Sequence, residues 1–177
     1  PFDGPLTLQG SATLGLEIVE YLKSINTKID NLLISVGGGG LISGVSSYVK
    51  QFYPKIKIIG VEPENANGLN QSFRANKPLN NVNVNSIADS LSAPLHMQYS
   101  FDVAKEVIDE MVTVSDDEMK KFMVFCYKKF KLFLEPACVA GLAALKYKIN
   151  NNLIGKNTMV ILCGSNIDKK TWSDLTN

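Results

Sequence analysis

Apolar residues alternate between helical stripes and short strand-like runs along this chain. Leu14, Ile18 and Leu22 recur every four residues with Glu17 and Glu20 off their line, which predicts a helix capped by Ser11 after an irregular stretch 1–10. The run Asn31 to Ile34 reads as a strand, and Leu41 to about Phe52, with Val45 and Val49 on one side, as a helix. Ile56 to Val61 is a second strand. Strand, helix and strand in so short a span form a βαβ unit, hence a parallel sheet with a right-handed crossover. Further on, the pattern predicts a short helix over 66–75, a surface loop in the Asn-rich stretch 76–85 and a small-residue loop over 86–94. Tyr99 to Asp109 reads as a helix and Met111 to Val114 as a strand. Ser115 and Glu118 form a capping box for a helix to about Phe133. A helix over 137–148 and a strand from Thr158 to Cys163 complete a three-layer α/β arrangement with a mostly parallel sheet.

Between the first strand and its helix stand Gly37, Gly38, Gly39 and Gly40, followed by Leu41. Without Cβ atoms the backbone there turns tightly and brings its N–H groups close to a ligand, and the start of the next helix adds unpaired donors and a positive dipole end. A phosphate is the expected guest; a merely flexible Gly-rich turn is the alternative. No lysine follows at P-loop spacing, and G-x-G-x-x-G fails in both registers, at Ile42 and at Ser43. Glu62, just past the second strand, stands where a ribose-binding acid would, which keeps an NAD-binding domain as a competitor.

Composition narrows the field. With 177 residues, 45% hydrophobic and a net charge of +1, the chain is long enough for a real core and has no electrostatic case for nucleic acid or acidic membrane as partner. No apolar run approaches the length of a membrane helix, and the first residues do not form a signal peptide. Cys126, Cys138 and Cys163 are odd in number with no C-x-x-C pair, which points to reduced thiols and an intracellular, cytoplasmic setting. A single histidine, His96, excludes a multi-histidine metal site and reads as a loop residue.

Several stretches in order carry a resemblance: Pro1-Phe2-Asp3 with 10–17, the tetraglycine run, Gly60-Val61-Glu62-Pro63, Ile87-Ala88-Asp89-Ser90, Leu134-Glu135-Pro136-Ala137, and Leu162 to Asp168 with Cys163-Gly164-Ser165-Asn166. Together they resemble the C-terminal half of the pyridoxal-phosphate-dependent serine/threonine dehydratases (threonine ammonia-lyases), of the tryptophan-synthase-β-like fold group. The resemblance covers nearly the whole chain, so 1–177 would be the C-terminal part of the catalytic domain that binds pyridoxal 5'-phosphate. It implies that the N–H groups of Gly37, Gly38, Gly39, Gly40 and Leu41 hold the cofactor phosphate. Cys163 falls where the family places a serine or cysteine beside the ring nitrogen. A thiol, with an ordinary pKa near ~8.5, does not enforce ring protonation as a carboxylate does, which suits β-elimination better than transamination. The alternative for Cys163 is a buried strand-end cysteine.

Glu135 matches a glutamate that the family places near the ring and the substrate nitrogen; a helix-capping or solvated acid is the alternative. Asp89 and Ser90 match a loop that shapes the pocket. Where some relatives hold a divalent cation, this chain has Glu62, Ala66 and Gly68 and so lacks one carboxylate; no tight metal site is expected. The family's Schiff-base lysine lies in an upstream segment with no counterpart here, so the 177 residues alone are expected to be inactive. The resemblance implies an intact protein, a homodimer, that converts L-threonine or L-serine to a 2-oxo acid and ammonia. A serine racemase, a hydroxyaspartate ammonia-lyase and a non-catalytic phosphate-binding fragment remain alternatives.

Overall fold

A computed structural model of the chain describes residues 3–149 and 156–176. Pro1 and Phe2 of the first matching stretch lie outside them. Four strands, β1 (Asn31–Ser35), β2 (Lys57–Pro63), β3 (Glu110–Val114) and β4 (Thr158–Val160), form one sheet in the order β3-β2-β1-β4. Every pairing is parallel, with Leu33 of β1 opposite Ile59 on one side and Val160 on the other. Among the described residues seven helices accompany the sheet: α1 (Pro5–Ser24), α2 (Gly40–Phe52), α3 (Gly68–Ala75), α4 (Gln98–Val107), α5 (Asp116–Phe130), α6 (Pro136–Tyr147) and α7 (Lys169–Thr176).

Alternation along β1 fixes the layers. Leu32 and Ile34 join Ile58 under α1, α2 and α4, whereas Leu33 joins Ile59 and Val160 on the opposite face, the side of α6. All four residues Asn31 to Ile34 are buried, as expected for a central strand covered on both sides. Helix α6 is nearly all small and apolar, from Ala137 to Ala144, and so lies close against the sheet. A Cβ on its Gly141 would come within 2.7 Å of Val160 Cγ1. The expected three-layer parallel α/β fold is what forms.

Several boundaries differ from the sequence pattern. The first helix starts at Pro5, not Ser11: Gly4 at φ +96° turns the chain and Pro5, its φ already fixed, occupies the first helical position. Ser11 is therefore inside the helix, and its hydroxyl donates across to the Gly40 carbonyl at 2.9 Å instead of capping. The Ser115–Glu118 capping box is present, with the helix ending at Phe130 because Lys131 turns left-handed. The last strand stops at Val160; Ile161 N–H still reaches the Leu33 carbonyl at 3.1 Å, after which the chain leaves the sheet. The short helix expected over 66–75 divides into a 3-10 turn over Glu64–Ala66 and α3.

Helices α1 and α2 meet at glycines. A Cβ on Gly44 would collide with the Ser11 hydroxyl and the Leu8 carbonyl, and one on Gly15 would sit 2.7 Å from the Val45 carbonyl oxygen. Because two of these obstacles are main chain, the helices must part to admit a methyl group. Gly44→Ala in the whole protein should therefore lower the unfolding free energy by about 1–3 kcal/mol in urea titrations, despite alanine's better helix propensity.

Candidate functional site

The strand order sets where a ligand can lie. From β1 the chain proceeds outward to β2 and β3, then returns to add β4 on the other side of β1. The connection after β1 leaves over one face and the one that returns to β4 lies on the other, so the two strands' carboxyl ends frame a crevice at a topological switch point. A cavity of about 160 Å³ sits there, lined among others by Ser35, Gly37, Leu41, Ser90, Ile161 and Cys163.

Gly39 takes φ +89°, a left-handed conformation that a side chain disfavours, and it delivers the chain into α2. The first acceptor bond of that turn runs from Ser43 N–H to the Gly39 carbonyl at 3.0 Å. Among the described residues, the N–H groups of Gly37, Gly38, Gly39, Gly40 and Leu41 find no acceptor. Gly37 itself leaves little room for a side chain: a Cβ would lie 3.0 Å from the Ser90 carbonyl oxygen and 3.2 Å from Leu91 Cα. The buried hydroxyl of Ser35 also lacks a partner. Five amides and a hydroxyl in need of an acceptor thus converge on one end of the sheet.

Cys163 faces this cavity and is exposed, which overturns the reading of it as a buried strand-end cysteine. The reason is the early end of β4, which leaves Cys163 three residues past the sheet. Glu135 lies next door, in a cavity of about 320 Å³ whose wall shares Ser90 with the first. It occupies the cap position of α6, yet its carboxylate makes no capping bond. Instead it accepts from the Ser90 hydroxyl at 3.4 Å and rests against the bare α-carbon of Gly164, at φ +134°, where a Cβ would collide with it. Asp89 accepts from Ser90 N–H at 2.8 Å, and Asp116 holds the start of that loop through Ser86 at 2.6 Å and Ile87 N–H at 3.2 Å. Gly37, Leu41 and Cys163 therefore line one cavity, Gly38–Gly40 form the turn beside it, and Glu135 stands in its neighbour.

Two residues of this site escaped the sequence reading. Ser35 is an unremarked hydroxyl at a strand end. His96 does lie in a loop, but it is buried, with Nε2 3.1 Å from the Gly37 carbonyl oxygen. Glu62 has a different task from the one considered for it. Fully buried, it accepts from Leu69 N–H at 2.8 Å and Asn70 N–H at 3.0 Å at the start of α3. Both its oxygens are engaged within the protein, which removes the acid on which the NAD reading leaned.

A family model for pyridoxal-phosphate dependent enzymes matches residues 1–164. The chain belongs to that family. Phenylserine dehydratase from Ralstonia pickettii is 41% identical over 98% of this chain and 52% of its own length. The catabolic L-threonine dehydratase of Escherichia coli K12 is 32% identical over 99% of this chain and 53% of its own. The crystal structure of T.th. threonine deaminase superposes with a TM-score of 0.88 at 29% identity, covering 95% of this chain and 56% of that one. The chain thus spans about half the length of the curated relatives it matches. Its relatives are threonine dehydratases and related enzymes that depend on pyridoxal phosphate, with the tryptophan-synthase-β-like fold. No described helix is long and apolar enough to cross a membrane.

Burial raises the Glu62 carboxyl from 4.5 to about 7, outweighing the two amide hydrogen bonds that lower it. Such a group holds its proton more firmly folded than unfolded, so its contribution to stability is complete below the unfolded value and is lost as pH rises through the folded one. The unfolding free energy should fall between about pH 5 and about pH 8 more steeply in the wild type than in Glu62→Gln, which cannot titrate; urea titrations at the two pH values read the difference.

Thiol reactivity offers a second check. Burial pushes Cys138 up to about 12, with the nearby Cys163 and Glu135 adding to it, and burial also raises Cys126. Only a thiolate attacks, so iodoacetamide should label Cys163 in the folded, cofactor-free protein and reach Cys126 and Cys138 only after unfolding, as mass spectrometry of the peptides would record.

Proposed function

We propose that the protein carrying this chain is a pyridoxal-phosphate-dependent ammonia-lyase that converts L-threonine or L-serine to a 2-oxo acid and ammonia. The observation that carries the reading is the meeting of the glycine turn and Cys163 in one cavity at the switch point of the sheet. The cofactor fits these residues on physical grounds. Its phosphate has several acceptor oxygens and a negative charge, matched by five amides without acceptors, the start of α2 and the unpaired Ser35 hydroxyl.

When bound, pyridoxal phosphate supplies the electron sink that makes the substrate Cα–H acidic. This chain's contribution is placement and field. Residues 37–41 would hold the phosphate end, and their rigid main chain would fix the ring's reach across the cavity. The Cys163 thiol would border the ring nitrogen without bringing a carboxylate's charge to it. Glu135, steadied by Ser90 and by the bare Gly164, would face the substrate nitrogen as an acceptor. Among the described residues no lysine lines either cavity. The covalent lysine of the reaction would then come from the part of the relatives' length that this chain does not span.

The whole protein should bind pyridoxal phosphate, take on a visible colour and retain the cofactor covalently after borohydride reduction. An oxo-acid assay should be run with threonine, serine, 3-phenylserine and 3-hydroxyaspartate, beside a chiral assay for inverted amino acid. Oxo acid from threonine or serine supports the reading, whereas inversion without oxo acid replaces it with a racemase. Gly37→Val would drive a side chain into main-chain atoms of the loop beside the cavity, and should weaken cofactor binding at least about tenfold in fluorescence titrations.

A further inference from the structure

We propose that His96 is the positioning residue of the glycine turn, its neutral imidazole donating from Nε2 to the Gly37 carbonyl and so setting where the Gly38 N–H points. The inference rests on the phosphate reading of that turn. A four-glycine run has a surplus of freedom: with no Cβ on either side, the Gly37–Gly38 peptide can rotate through orientations closed to other residues. An anion holder needs that freedom removed, because ordering mobile amides on binding would cost affinity. A side chain at Gly37 would restrict it, but its Cβ would crowd main-chain atoms of Ser90 and Leu91 at 3.0 and 3.2 Å. The restraint must come from outside the turn.

His96 supplies it. Its Nε2 lies 3.1 Å from the Gly37 carbonyl oxygen. A carbonyl only accepts, so Nε2 bears the hydrogen. In a planar trans peptide, C=O and the following N–H point in opposite directions; holding the Gly37 carbonyl on His96 therefore aims the Gly38 N–H away from the ring. The imidazole is itself fixed. It is 5% exposed and packs against the α-carbon of Gly68, where a Cβ would crowd Cε1. The main-chain N–H of His96 bonds the Leu79 carbonyl at 2.7 Å, and Val82 N–H bonds the carbonyl of Pro94, two residues before the histidine, also at 2.7 Å.

The other ring nitrogen, Nδ1, is buried and has no partner among the described residues. A second proton there would be a charge without an acceptor, and burial accordingly lowers the pKa of His96. The ring is kept in one tautomer, a donor to Gly37 and nothing else.

The test uses the whole protein freed of cofactor, with pyridoxal phosphate, inorganic phosphate and phosphate-free pyridoxal as probes in separate titrations. His96→Leu should weaken both phosphate probes about tenfold and leave pyridoxal unchanged, and His96→Gln, which keeps an N–H donor, should recover most of the loss. Wild-type affinities in His96→Leu, or an equal loss for pyridoxal, would overturn the proposal. A wild type that binds pyridoxal as tightly as its phosphate would instead defeat the reading of the turn, and this inference with it. Should the leucine variant not fold, nitrogen-15 NMR of the wild type decides: the proton of His96 is expected on Nε2, and an Nδ1–H tautomer refutes the assignment.

Discussion

Main-chain N–H groups at the start of a helix must find acceptors, and in α2 the described residues do not provide them. Ordinarily a serine, aspartate or asparagine at the cap would take up one or two. Here the cap is Gly39 in a left-handed conformation, and the donors of residues 37–41 find no acceptor among the described residues. Leaving buried donors unpaired is costly unless a guest with acceptors is expected. Much of the surrounding architecture follows from that gap in the bonding pattern: the parallel sheet that aims the turn, the close contact of α1 with α2 through Gly15 and Gly44, and the loop 86–94 packed over Gly37.

The fold was largely legible because its period is strong. A buried β1 flanked by turn residues, a glycine run and an amphipathic α2 admit few arrangements other than a βαβ unit. What escaped were features in which local signals are weak or compete. Pro5 marks a helix start as well as Ser11 does, and a helix that opens on a proline and contains Gly10 reads as irregular by pattern alone. The end of β4 depends on where β1 stops offering carbonyls, a fact of pairing that no single segment contains.

The site was legible in its chemistry and not in its fastenings. Gly37 and Leu41 could be named from the strand–glycine–helix pattern and Cys163 from the family resemblance, and they do share a cavity. The residues that hold them were invisible for a common reason: each acts across a long sequence separation. His96 reaches back 59 positions to Gly37, and Ser90 reaches forward 45 to Glu135. Glu62 looked like a ligand-binding acid by position, and only its burial and its two amide partners reveal a role in anchoring α3.

One wall of the cavity has a consequence for how the molecule comes together. Cys163 reaches the glycine turn only through the pairing of β4 with β1, whose side chains Asn31 and Thr158 meet across 127 positions of chain. Contacts so distant in sequence close late, after local helices and the neighbouring βαβ unit have formed. The pocket is therefore complete only once this distant pairing has formed, and any guest seated against both walls ties that seam shut. Occupancy then acts as a fastener on the edge strand with the shortest pairing, three residues against five, and guards the fold against opening there.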